Sequence, residues 1–395
     1  MPLFLAILFL SCSQFASQIF LPAMPDIAIA LDISKSQLQQ VMMYYFISLG
    51  FSQLIVGPLC DSFGNRKVFL VGQISFILGT CIAGLAINEN IFALGRVLQG
   101  FGAAAPLLIS RILLGSELEG SALKSATASL SIAASLVAVV APWFGGLITT
   151  HYDWQILFFV LTVYFITTWF IGYVFLAKHE TGVVEFKLKN TLRNYMQLLI
   201  QQKFISIAMF KWIPTFLYLT SQIYFPFELQ EKFNLSAAEY GKAMMIPTAG
   251  LVLGTLLAKI LQKYISYNKI LLVFWPLILA SGIVLYAMPF SLFSALLSYS
   301  LLMVAFGTYY PCCIHLIVTS FKKYAGAASA LVGAVELLCF SILAIFINKF
   351  FITSYLSLAL IYIAFSFVLL LCWLLMKFSL KKTNNNKVKY VYRNT

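Results

Sequence analysis

Charge is scarce inside the long apolar stretches of this 395-residue chain, and the residues that carry it there are the first candidates for chemistry. Of thirteen Asp and Glu, only Glu336 falls near the middle of such a stretch. Two cations, Arg96 and Lys211, are also deep. A charge at that depth costs about 2.5–3.5 kcal/mol on insertion scales, so a retained one points to a function or a partner. For Glu336 two readings stand together: a structural or gating ion pair with Lys211, and a site for a proton or a cationic substrate. They are compatible, because protonation of Glu336 would release Lys211. For Arg96 the readings are a tie to carbonyls or to Gln14 and Gln18, and a switch responding to protonation or to an anionic substrate.

Polar residues at helical spacing add a candidate cavity lining. One stretch carries Ser11, Gln14 and Gln18, another Lys211, Tyr218 and Gln222, a third Tyr309, Tyr310 and His315. Aromatics with a few polar groups suit a planar, partly apolar ligand. With 36 Phe and 20 Tyr in the chain, packing alone also generates such stripes. His315 reads more readily as a helix–helix hydrogen bond than as a proton site. Enzyme chemistry finds no support. There is no phosphate-binding glycine loop and no Gly-x-Ser-x-Gly element. His151, His179 and His315 are too scattered for a metal site. No cofactor is expected. The seven cysteines form no C-x-x-C pair and read as small packing residues.

The elements that must position these residues follow from composition. Only 10% of residues are charged, 61% are hydrophobic, and mean hydropathy is +0.92, which leaves too little charge to hydrate a soluble surface. The apolar residues form runs of about 20, long enough to cross a hydrocarbon core of about 30 Å as helices. A membrane β-barrel would instead alternate every second residue. Twelve spans result, at 3–24, 38–59, 68–87, 91–113, 125–148, 154–177, 204–226, 239–262, 269–288, 292–318, 326–350 and 355–378. The fold class is an all-α polytopic membrane protein. An even number of spans puts both termini on one side. Of 26 Lys and Arg, 20 fall there, Arg66, Lys67 and Arg111 among them; Lys35, Lys232, Lys242 and Lys349 lie opposite. That bias places both termini in the cytoplasm. The net charge of +13 is thus a topology signal and a contact for anionic lipids, not a nucleic-acid surface. The first span lacks the basic leader of a cleaved signal peptide, and a start upstream of Met1 stays open.

Four segments emerge: residues 1–177, a six-helix half; 178–203, a cytoplasmic linker; 204–378, a second six-helix half; and 379–395, a basic tail too polar to pack. The linker stretch KLKNTLRNYMQLLIQQ is patterned as an amphipathic helix lying on the membrane. Six spans, a linker and six spans form the pattern of pseudo-symmetric repeats that hold substrate between them and rock about it. Pro22, Pro25, Pro214, Pro247, Pro276 and Pro311 are expected hinge or break points.

Short motifs sharpen this. The connection after the second span reads Gly57-Pro58-Leu59-Cys60-Asp61-Ser62-Phe63-Gly64-Asn65-Arg66-Lys67. Gly57 would permit close helix approach, Gly64 a positive φ, and Asp61 could face a helix N-terminus or a guanidinium. The sequence resembles the G-x-x-x-D-x-x-G-x-R-K signature of the major facilitator superfamily. Arg96, Gln99 and Gly100 resemble its R-x-x-Q-G element. Ala141-Pro142-Trp143-Phe144-Gly145-Gly146 resembles the proline-glycine motif of its antiporters, with Ala141 where glycine is usual. Leu21-Pro22-Ala23-Met24-Pro25, Gln53 before Gly57-Pro58, Gly100-Phe101-Gly102-Ala103-Ala104-Ala105, Trp154 and Ala325–Ala330 resemble the Bcr/CflA-type multidrug efflux subgroup. The resemblance covers roughly residues 18 to 350. It implies a monomeric exporter of small amphiphilic or cationic compounds in the bacterial inner membrane, coupled to protons. The subgroup commonly places an Asp four residues before the Leu-Pro-Ala proline; here that position is Gln18, which does not titrate. Coupling would then need another acid, and Glu336 is the one placed for it. The alternatives are an uncoupled facilitator or importer of a metabolite, favoured by Gln18, and a non-transporting membrane sensor.

Overall fold

A computed structural model describes residues 1–176, 188–321 and 325–391. The elements are α1 Pro2–Gln18, a 3-10 turn Leu21–Ala23, α2 Met24–Ala30, α3 Lys35–Phe63, α4 Asn65–Gly84, α5 Glu89–Glu117, α6 Gly120–His151, α7 Gln155–Phe175, α8 Leu188–Leu199, α9 Gln202–Phe233, α10 Ala237–Leu261, α11 Tyr267–Ala287, α12 Leu292–Ser320, α13 Ala325–Phe350 and α14 Tyr355–Val391. Twelve helical stretches are long and apolar enough to cross a membrane, the first being α1 and α2 together. Each coincides with a span expected above. No strand occurs among the described residues.

Helix starts are set by small polar caps. Ser34, Ser236 and Ser291 each accept from the amide of their third residue onward, and each of those residues bonds back to the cap amide, closing a capping box. Asn88 accepts from the Ile91 amide and starts α5. Proline behaves unevenly. Pro22 and Pro25 accompany the break between α1 and α2, whereas Pro214, Pro247, Pro276 and Pro311 sit inside unbroken helices. Packing against neighbouring helices lets such prolines pass without ending the helix.

Within the first half, α5 packs on α1, α3 and α4; within the second, α12 packs on α9, α10 and α11. The halves meet along two seams, α3 with α13 and α6 with α10. Counted by span, these are the second with the eleventh and the fifth with the eighth, the same pairing exchanged between halves, as pseudo-two-fold repeats require. Large apolar side chains such as Leu78, Phe159, Phe170, Val273 and Leu371 are exposed on the outside of the bundle, the face a lipid would cover.

The linker helix falls at α8, inside the amphipathic stretch read from the sequence. Lys178 and Lys187 lie outside the described residues, as do Lys322 and Lys323. At the C-terminal end, α14 runs on to Val391, into the tail expected to be irregular. Neither glycine nor proline stands anywhere after Phe350 to stop it.

Candidate functional site

The turn between α3 and α4 is built around Gly64, at φ +82°. A Cβ there would have nothing within 4 Å, so the backbone conformation alone selects glycine. Arg66 donates from Nη2 to the Tyr173 carbonyl at 2.7 Å and lies 4.8 Å from that ring, tying the start of α4 to the end of α7. Asp61 and Lys67 are exposed beside it. Gly57 departs from expectation: a Cβ there meets only a Leu108 methyl at 3.9 Å, an ordinary contact, so no close approach depends on it. The close approach occurs further along, at Gly100, where a Cβ would run into Ser48 Oγ and the Tyr45 carbonyl.

Arg96 is fully buried in the first half. Its Nη1 donates to Gln99 Oε1 at 2.6 Å and to the Ala16 carbonyl at 3.2 Å, and Gln99 Nε2 donates to Thr80 Oγ1 at 3.0 Å. The guanidinium lies 4.3 Å from the Phe20 ring and 4.5 Å from the Tyr45 ring. Each such contact contributes about 0.5–2 kcal/mol. Neither Gln14 nor Gln18 is the partner; the tie runs to α1 backbone and to Gln99, one helical turn along on α5. No carboxylate pairs with Arg96 among the described residues. The element therefore locks α1, α3, α4 and α5 together.

The second half holds the deep ion pair. Lys211 on α9 and Glu336 on α13 are in direct contact through Nζ and Oε2, and both are buried. Thr215, one turn along α9, donates to Glu336 Oε1 at 2.9 Å. The Lys211 ammonium also lies 4.9 Å from the Tyr310 ring. From the first half, Arg111 Nη2 donates to the Tyr310 hydroxyl at 3.3 Å. A polar chain thus runs from α5 through α12 to α9 and α13, crossing between halves. The sequence alone does not single out Thr215 or Arg111 for this role. Thr215 carries a signal, standing four residues after Lys211 and so on its face; Arg111 reads in sequence only as one more charge near a span end.

A second polar cluster bridges the halves. Gln222 Nε2 donates to Gln18 Oε1 at 2.7 Å and to the Tyr218 hydroxyl at 2.6 Å, and Gln18 Nε2 donates to that same hydroxyl. Gln18, Tyr218 and Gln222 are therefore brought together and bonded to one another. Two others are not. Tyr309 is buried inside the second half, donating to the Leu271 carbonyl at 3.1 Å and edge-on to Phe210. His315 is exposed near the end of α12 and stacks on Tyr267 at 4.0 Å. Gln14 is half-buried on α1.

Further from the chain termini the halves close tightly. Across the seam Gly146 meets the Ala237 carbonyl and Gly241 meets the Pro142 carbonyl, while Gly145 takes the Ile19 carbonyl against it within the first half. Thr150 Oγ1 accepts from the Ala238 amide at 3.2 Å. Gln39 donates to the Ile223 carbonyl at 2.6 Å, Gln230 to the Pro22 carbonyl at 3.1 Å, and Lys35 pairs with Glu231 at 3.7 Å. Pro142 and Gly146 of the motif thus lie in an inter-half seam, and Gly145 packs on the break after α1 in its own half. Among the described residues no His, Cys, Asp and Glu group is placed to hold a metal.

Comparison with known proteins agrees with this architecture. The family model described as Major Facilitator Superfamily matches residues 6–344. The chain is 30% identical over 161 residues to multidrug resistance protein D of Escherichia coli (strain K12), covering 41% of each chain. It is 30% identical over 149 residues to the bicyclomycin resistance protein homolog of Haemophilus influenzae, covering 38% of this chain and 37% of that one. These two matches span about two fifths of the relatives' own lengths. Multidrug resistance protein MdtL of Citrobacter koseri aligns over 318 residues at 25% identity, 80% of each chain. In fold, the chain superposes on the nucleoside transporter NupG with a TM-score of 0.75 at 14% identity, over 95% of this chain and 99% of that one. A D-xylose-proton symporter gives 0.73 at 14% identity, over 94% and 96%. Twelve membrane-length helices, the signature turn at Gly64, the Arg96–Gln99 lock and a family match over most of its length leave one assignment: this chain belongs to the Major Facilitator Superfamily.

Proposed function

We propose that the protein is a secondary transporter that exports small amphiphilic, drug-like compounds across a bacterial inner membrane, both termini in the cytoplasm, driven by the proton gradient. The observation that carries the proton reading is Glu336, an acid buried within a membrane-length helix, bonded to Lys211 and Thr215. A carboxylate there is stable as a pair and stable when protonated, but not as a lone charge. Protonation frees the ammonium and loosens α9 from α13. The Tyr310–Arg111 bond passes that change to the other half. Alternating access is supported by where the inter-half bonds gather, at the end away from the termini: they seal the outer side in this conformation, and loosening them would open it. The export of drug-like compounds is supported by the relatives named for multidrug and bicyclomycin resistance. The bundle is read as working alone, with lipid on its outer face.

Purified protein in liposomes, tested with a panel of uncharged and charged amphiphiles, checks the reading. Flux against a gradient of the compound is expected under an imposed pH difference and should fall to equilibration when the difference is collapsed. A second reading, uncoupled facilitation or import, rests on Gln18, whose carboxamide binds Tyr218 and Gln222 without titrating. It requires flux that is the same with and without the pH difference.

A further inference from the structure

The Lys211 ammonium is held as a bound organic ammonium would be held. A carboxylate, that of Glu336, lies directly against it. The face of Tyr310 lies 4.9 Å away, within cation–π range. Thr215, donating at 2.9 Å to the far oxygen, fixes the carboxylate's orientation. Carboxylate plus aromatic face is recognition chemistry for ammonium, and here the occupant is a side chain of the protein itself. We infer that Glu336, Thr215 and Tyr310 form an organic-ammonium site kept filled by Lys211, so that the wild-type protein handles uncharged amphiphiles and turns organic cations away.

This narrows the substrate class of the transport reading above and rests on it. A tethered group competes at an effective concentration in the millimolar range, which a micromolar amine does not overcome. Protonating Glu336 does not admit a cation either: the site then has no negative charge, while Lys211 and Arg111 both remain positive. Among the described residues, the other acids paired across the halves, Glu228 and Glu231, lie at the outer end and are engaged by Lys35 and Lys232. In either protonation state the path past Tyr310 carries net positive charge.

Lys211→Ala empties the site, and n-propylammonium replaces the atoms removed. Calorimetric titration in detergent should show propylammonium and phenethylammonium binding Lys211→Ala at least tenfold tighter than wild type. The gain should vanish in Lys211→Ala/Glu336→Gln. In Lys211→Ala it should strengthen as pH rises, since only the ionised carboxylate receives the amine, and the double variant should show no such trend. Equal affinity in wild type and Lys211→Ala, or undiminished binding in the double variant, overturns the inference. Should Lys211→Ala fail to fold, wild type alone decides: phenethyl alcohol should cross faster than through protein-free liposomes and phenethylammonium should not, and carrier-dependent flux of the ammonium overturns it. If wild type carries no compound of either kind, the transport reading falls, while amine binding to Lys211→Ala still decides the ammonium site.

Discussion

A lysine and a glutamate in contact inside lipid contribute little beyond what two well-packed apolar residues would, yet each is costly without the other. Lys211→Met or Glu336→Leu alone should therefore destabilise the protein by about 3–5 kcal/mol, whereas Lys211→Met/Glu336→Leu should recover most of that loss. Thermal unfolding of the three variants in one detergent checks it; an additive double variant would mean that the two side chains are not a pair. Deep charges announce themselves in an apolar sequence, which is why Glu336, Lys211 and Arg96 are legible from residue order alone. Thr215 is not, because threonines that merely bond their own helix backbone abound here, Thr248 and Thr167 among them. Tyr309 and Tyr310 read in sequence as one lining stripe, but adjacent residues on a helix do not share a face. One points to Leu271 and the other to Arg111.

Among the elements, two glycines of the signature motifs act by different physics, and substitution separates them. Gly64→Ala meets no atom, so its cost is the strain of a positive φ alone, on the order of 1–2 kcal/mol. Gly100→Val drives a branched side chain into Ser48 and the Tyr45 backbone, forcing α3 off α5 and disturbing the rings around Arg96. Overpacking of this kind costs about 1–3 kcal/mol, occasionally more. Gly100→Val should accordingly lower folded yield more than Gly64→Ala does, by fluorescence-detected gel filtration. Element boundaries are legible in the sequence because span length is dictated by lipid thickness and helix starts by Ser and Asn caps. The passage of α9 through Pro214 and Pro226 is not, since it depends on which neighbours take up the released backbone groups.

At the scale of the whole molecule, the two halves and the seams between them follow from pseudo-symmetry, but which end of the seam is shut is a property of one conformation and leaves no trace in composition. The shut end makes its own prediction. In a background lacking the seven native cysteines, Thr150→Cys with Ala238→Cys joins α6 to α10 where they now touch, and oxidation should arrest flux that reduction restores. Persistent flux in the oxidised protein would mean that this seam does not open during transport. The proton chemistry assigned to Glu336 is tested most directly by substrate-induced proton release from detergent-purified protein, followed with a pH-sensitive dye in weak buffer. Wild type should release protons on binding a transported compound, and Glu336→Gln should bind the compound and release none. Equal release from both proteins would contradict the assignment and place the coupling acid elsewhere.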